Sequence, residues 1–220
     1  LSALTIISFF LFLFYSNEKV ISASKSKYYT GRTYLELFLQ PRFIQAVVGS
    51  GLAYCVMSFL MTATPISMHI HNQISLGKTG IVIMFHILAM FLPSLITGTL
   101  IKKFGNNIIM HCGVIVLLIS IFFNFIDQSF FNYFLGLILL GLGWNFLFIS
   151  SLLLTSYNSN EKFRAQGLND FFVFSTQAVG ALSAGFLLSL FGWKFINLMC
   201  IPLLIIIVCT IIISEYRQSP

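Results

Sequence analysis

Charge is what this sequence has least of. Only 8% of its 220 residues are Asp, Glu, Lys or Arg, against about 25% in a soluble domain. There is too little polar surface to cover a water-soluble globule. Polar–apolar alternation is missing as well. Runs such as Phe195 to Ile213 stay apolar from residue to residue, which excludes the strands of a membrane barrel. Cysteine is sparse. Cys55, Cys112, Cys200 and Cys209 lie in or at the end of apolar stretches, with no metal-ligand spacing between them, so they read as small packing residues rather than a disulfide framework or a metal site. Enzyme signatures are absent too: there is no HExxH, no GxSxG, no Walker loop and no GxGD. No enzyme and no cofactor is expected. Without a Walker loop, uphill work would draw on an ion gradient or a partner.

What is there is hydrocarbon. Hydrophobic residues make up 58% of the chain and phenylalanine alone supplies 25; the mean hydropathy is +0.94. This is the composition of a polytopic, all-α membrane protein whose first partner is the lipid bilayer. The net charge of +6 sits in short loops between apolar runs, where topology accounts for it, and no nucleic-acid partner is expected.

Leu1 to Tyr15 is apolar but shorter than the roughly 20 residues needed to span. It lacks the basic start and small-residue cleavage site of a signal peptide. It reads as the cut-off end of a transmembrane helix and the chain as a fragment of a longer protein. Residues 16–41 form the one long polar segment, a linker with a short surface helix at Thr33 to Leu39. Residues 42–220 hold six spans: Phe43 to Pro65, Thr79 to Ile101, Ile108 to Ile126, Phe130 to Leu154, Leu168 to Phe191 and Phe195 to Ile213. Ten of the twelve basic residues fall on one side of this arrangement and only Lys78 and Lys194 on the other. The positive-inside rule puts the linker, the Lys102 and Lys162 loops and the C-terminus in the cytoplasm of a cell carrying this protein in its cytoplasmic (inner) membrane.

A truncated helix, a basic linker and six spans resemble the C-terminal half of a major facilitator superfamily transporter, in one bacterial branch of that family. The local sequence agrees. Gly98, Leu100, Lys103 and Gly105 match the family loop G-x-L-x-D-R-x-G-R-R in its weaker second copy. Lys102 stands at the Asp position, and Asn106-Asn107 replace the trailing basic pair. The runs from Leu60 to Met68, Gly141 to Phe146 and Gln166 to Phe171 are similar to that branch. The resemblance implies two inverted three-helix repeats, a missing N-terminal six-helix half as partner, and alternating access around a midplane site. It also implies that Phe43 to Pro65 and Phe130 to Leu154 line the pathway, with Asp170 and Gln177 brought near Asn145.

The polar residues within the spans are the candidate site. Tyr54, Ser58, Met61 and Thr62 form a stripe at helical spacing, equally suited to lining a pathway and to packing. Trp144 and Asn145 offer an indole to stack and an amide to hydrogen-bond a solute; interhelical glue is the rival reading of Asn145. Gln177 lies at i+7 from Asp170, on the same face. Asp170 is the acidic residue within a span. It is either a protonatable site or gate, or part of a helix N-cap together with Asn169. His86 is either a proton relay or a packing histidine. His69 and His71 read as a solvated loop rather than a metal site. The expected activity is secondary transport of a small organic solute, with proton coupling as a candidate. A non-transporting membrane subunit, or an inactive transporter fragment, is the alternative.

Overall fold

The computed structural model describes residues 33–154 and 159–218. The expected helix end at Leu1 to Tyr15 and most of the 16–41 linker lie outside them. Every element among the described residues is helical.

A five-residue helix, α1 (Tyr34–Phe38), opens the described chain. Thr33 caps it. The Thr33 hydroxyl accepts from the Glu36 amide at 3.3 Å, and the Glu36 carboxylate accepts from the Thr33 amide at 2.6 Å, a capping box that satisfies two donors the helix cannot. Leu37 is fully buried against Phe43, Val47 and Ala165, so the expected surface helix is present and docks on the base of the bundle.

Helix α2 (Pro41–Pro65) starts with proline at its first position, where the missing N–H costs nothing. It runs on as a π-helical stretch, Ile66–His71. The widened turn follows Pro65, whose ring crowds the turn before it. His69 and His71 are exposed in this last stretch, not in a loop.

The span expected at Thr79 to Ile101 is two helices. α3 (Leu76–Phe91) and α4 (Ser94–Phe104) meet at an angle of 41°. Pro93 at the junction has no N–H to give, which breaks the backbone ladder. Gly105 then turns the chain at φ +91° into α5 (Asn106–Ile126), and α6 (Phe130–Leu154) follows.

The last helix, α7 (Ser159–Gln218), runs 60 residues with a break at Gly192, φ +76°. The part from Glu161 to Arg217, 57 residues, would be about 85 Å long if straight, nearly three times a bilayer core of about 30 Å. It turns back at Gly192 instead. The first leg rises along α2, pairing Asn169 with Ser50, Thr176 with Gly51 and Gln177 with Ser58. The second leg descends, with Trp193 at Asn124 and Thr210 and Arg217 beside Pro41. The described residues therefore make six crossings: four in α2, the bent α3–α4 pair, α5 and α6, and two in α7. Because each group of three is odd, the second group starts from the opposite side to the first.

The two ends of the bundle differ. Arg42, Gly105, Leu154 and Arg217 lie at one end, with Lys102 and Lys103 at the foot of α4. The other end holds Lys78 over Phe130 and Lys194 over Phe125. Among the described residues, the charge asymmetry read from the loops is a property of the fold.

Helix α6 is the spine. It packs on α2, α3, α4 and α5, and glycine lets it come close. A Cβ on Gly141 would lie 2.7 Å from the His86 carbonyl oxygen of α3, and one on Gly143 would lie 2.9 Å from the Gly113 carbonyl oxygen of α5. Backbones at that distance need small residues.

Candidate functional site

An aromatic and acidic strip runs along α2, α6 and the first leg of α7. Trp144 and Phe148, one turn apart on α6, stack at 5.0 Å with planes 10° apart. Tyr54 of α2 stands edge-on to both, at 4.9 Å from Trp144 and 5.1 Å from Phe148. Phe91, at the α3–α4 break, closes on Trp144 from the far side at 6.2 Å. Edge-to-face and offset contacts of this kind are the favoured ones. Trp144 is almost wholly buried, whereas Tyr54 and Phe148 are half-buried. Asp170, in the first leg of α7, is half-buried. The indole N–H of Trp144 is buried with no hydrogen-bond partner, a donor held in oil.

Asn145 turns the other way. It is fully buried and committed to the seam between α6 and the broken pair. Its Nδ2 donates to the Met90 carbonyl at 2.7 Å and to Ser94 Oγ at 2.6 Å, and its Oδ1 accepts from Thr97 Oγ1 at 2.7 Å. Its hydrogen bonds go to the broken pair and not to Asp170 or Gln177. Each of its amide hydrogens is already engaged, and its partners are residues that sequence reading had passed over. The signal that could have found them is Pro93: a proline in a span frees a carbonyl, and Ser94 and Thr97 sit within a turn of it.

Ser58 of the polar stripe is buried and donates to its own helix at Tyr54 O, 2.9 Å, and to the Gln177 carbonyl, 3.1 Å. Thr62 is exposed and Met61 half-buried. His86 is fully buried; its Nδ1 lies 2.7 Å from the Leu137 carbonyl, which makes Nδ1 the donor and leaves Nε2 without a partner.

Asn169 and Asp170 do not cap a helix. α7 begins ten residues earlier, at Ser159, so both lie well inside it. Asn169 is buried, with its Oδ1 accepting from Ser50 Oγ at 2.8 Å. Of the loop residues, Gly105 makes the turn. A Cβ on Gly98 would meet nothing within 4 Å, so no close helix approach depends on it. Leu100 is half-buried and Lys103 exposed beside the Phe104 ring.

The family model described as Major Facilitator Superfamily matches residues 46–219, most of the chain. The chain belongs to the major facilitator superfamily. That family consists of transporters rather than enzymes, and the chain is a multi-pass membrane protein. It is 36% identical over 186 residues to the riboflavin transporter RfnT of Brucella anthropi, covering 84% of this chain and 46% of that protein. It is 35% identical over 166 residues to the uncharacterized MFS-type transporter YdeG of Bacillus subtilis, covering 70% of this chain and 38% of that one. A second Bacillus subtilis protein, the uncharacterized MFS-type transporter YddS, is 34% identical over 138 residues, covering 61% of this chain. The chain spans less than half the length of the curated relatives it matches.

Proposed function

We propose that this chain is the second six-helix half of a secondary transporter that carries a small, planar aromatic solute by alternating access. The missing N-terminal half would supply the facing wall, and the end rich in Lys and Arg would face the cytoplasm of a cell whose cytoplasmic membrane holds the protein. The observation that carries this reading is the half-buried face of Tyr54 and Phe148 backed by Trp144. Ring faces of this kind stack on a flat heterocycle, and a carboxylate beside them accepts from its N–H groups. The likeness to a riboflavin transporter supports a solute with a fused ring system. Asp170 is the candidate group for proton coupling, since it is a half-buried carboxylate inside the first leg of α7. His86, turned to the Leu137 carbonyl, is the weaker candidate.

Uptake of riboflavin into vesicles holding the complete protein tests the proposal. Replacing Tyr54 by Ala removes one stacking partner worth about 0.5–1.5 kcal/mol, or a loss of roughly twofold to tenfold in apparent affinity. Undiminished uptake by the Tyr54→Ala protein would take the aromatic strip out of the pathway. Absence of uptake for riboflavin and other fused-ring solutes, with the protein folded and bound to another membrane chain, would favour the non-transporting subunit.

A further inference from the structure

Helix α1 is apolar on both sides, and the bundle covers one of them. Leu37 points inward, fully buried against Phe43, Val47 and Ala165. Leu35 and Leu39, one turn apart on the opposite side, are 69% and 68% exposed. Phe163, near the start of α7, is 80% exposed. It shares with Tyr34 of α1 a groove of about 380 Å³ whose other lining residues are Arg164, Gly167 and Leu168. A Cβ on Gly167 would meet nothing within 4 Å, so the groove is clear. A helix that is apolar all round belongs in an apolar setting, and neighbouring side chains of this size exposed together mark a contact surface.

Depth and charge say what that surface meets. α1 has five residues and cannot cross a bilayer. Its inner face packs on the first two turns of α2, and Val47 lies only about 9 Å along the axis from Pro41. The helix therefore sits at the level where the spans begin. That level is basic. Arg42, Lys102, Lys103, Lys162, Arg164 and Arg217 lie at this end among the described residues, against Glu36, Glu161 and Glu215. The Glu36 carboxylate is turned onto the Thr33 amide. The Arg164 guanidinium lies 4.8 Å from the centre of the Tyr34 ring, so a cation stands beside the groove.

We propose that the outer face of α1, together with Phe163, is an interfacial anchor seated in an anionic lipid leaflet. Tyr34, Leu35, Leu39 and Phe163 enter the boundary between headgroups and acyl chains, the depth of about 5–10 Å at which amphipathic surface elements lie. Arg42, Lys162 and Arg164 stay level with the lipid phosphates, with their apolar stems along the same boundary. A protein partner would have to present an apolar patch and excess negative charge at this one level. An anionic leaflet presents both all around the bundle. The anchor is independent of the transport reading, because it shares no residue with the aromatic strip.

Phe163→Trp and Leu35→Trp, each made in the full chain and reconstituted into vesicles, provide the test. Both positions are exposed, and Trp144 and Trp193 are each 2% exposed, so the new indole is read as the difference from the unsubstituted chain. The probes are phosphatidylcholine and phosphatidylglycerol carrying bromine near the glycerol end or near the tail end of the acyl chains. The expected result is blue-shifted emission from both indoles, quenched more by the shallow bromines than by the deep ones. Quenching should be stronger when phosphatidylglycerol carries the bromine, and that excess should fall as salt rises. Lys162→Gln and Arg42→Gln should each lower the phosphatidylglycerol excess by up to about fivefold and leave the depth unchanged. Emission as in water, without quenching, would leave the face in solvent. Blue emission without quenching would give it to a protein partner or a second copy. Either result overturns the proposal, as do stronger quenching by deep than by shallow bromines and equal quenching by the two lipids.

Discussion

The side-chain amide of Asn145 donates to the backbone carbonyl of Met90, 2.7 Å away on the neighbouring helix. Met90 lies three residues before Pro93, where the α3–α4 span bends by 41°. A proline leaves the carbonyls of the preceding turn short of partners, and in hydrocarbon no water can replace them. Asn145 does so from α6, and its bonds to Ser94 and Thr97 hold the far side of the same break.

Replacing Asn145 by Ala removes these three contacts at once. Interhelical hydrogen bonds in membranes average about 0.6 kcal/mol, so a loss of about 2 kcal/mol is expected, read as a lower melting midpoint in detergent. Normal stability with transport alone abolished would mean that the amide serves a solute instead.

Gly180 of α7 and Gly98 of α4 make a paired test. A Cβ on Gly180 would sit 2.7 Å from the Cys55 carbonyl, whereas one on Gly98 meets open space. Gly180→Ala should force α2 and α7 apart and cost about 1–3 kcal/mol. Gly98→Ala should be neutral or stabilise α4 by up to about 1 kcal/mol through helix propensity. Equal melting of the two variants would contradict the close packing at Gly180.

At the other end, Ser67 and Tyr133 share a hydrogen bond of 2.6 Å, and Asn72 Nδ2 donates to Tyr133 Oη and to Gln128 Oε1, each at 2.9 Å. These bonds tie the π-helical end of α2 to the start of α6 and the loop before it. Tyr133→Phe should loosen this end by about 1 kcal/mol. Faster amide hydrogen exchange at residues 67–75, with the α4–α5 end unchanged, is the expected sign.

Asp170→Asn keeps the shape of the side chain and removes its charge. In vesicles with an imposed pH gradient, the complete protein carrying this change should still exchange solute at equilibrium but lose uphill uptake. Uphill uptake that survives intact would remove Asp170 from the coupling step.

The six crossings, the short helix at Thr33 to Leu39 and the turn at Gly105 were all legible in the sequence, because each depends on local chemistry: apolar length, a short run of helix formers, a glycine between helices. The start of α7 was not. Hydropathy measures how much of a helix lies in oil, and residues 159–167 are polar yet helical, so the helix begins well before its span. The role of Asn145 was undecidable for a different reason. An amide in an apolar run looks the same whether its partner is a neighbouring helix or a solute, and the partner here is more than fifty residues away.

Two serines of helix α2 depend for their interhelical partners on a much later part of the chain. Ser50 meets Asn169, and Ser58 meets Gln177, each 119 residues later. At about 5–20 residues per second of synthesis, α2 would wait on the order of ten seconds in the bilayer before those partners emerge. Its serines are provided for in that interval. Ser50 Oγ also lies 2.8 Å from the Ala46 carbonyl, and Ser58 Oγ 2.9 Å from the Tyr54 carbonyl, so each hydroxyl can rest on its own helix and then add the interhelical contact when the final hairpin arrives. Packing on the serine face of α2 is thus timed by the α7 hairpin, and a ribosome stalled before residue 169 would leave α2 inserted, with its serine hydroxyls on their own helix and without a neighbour on that face.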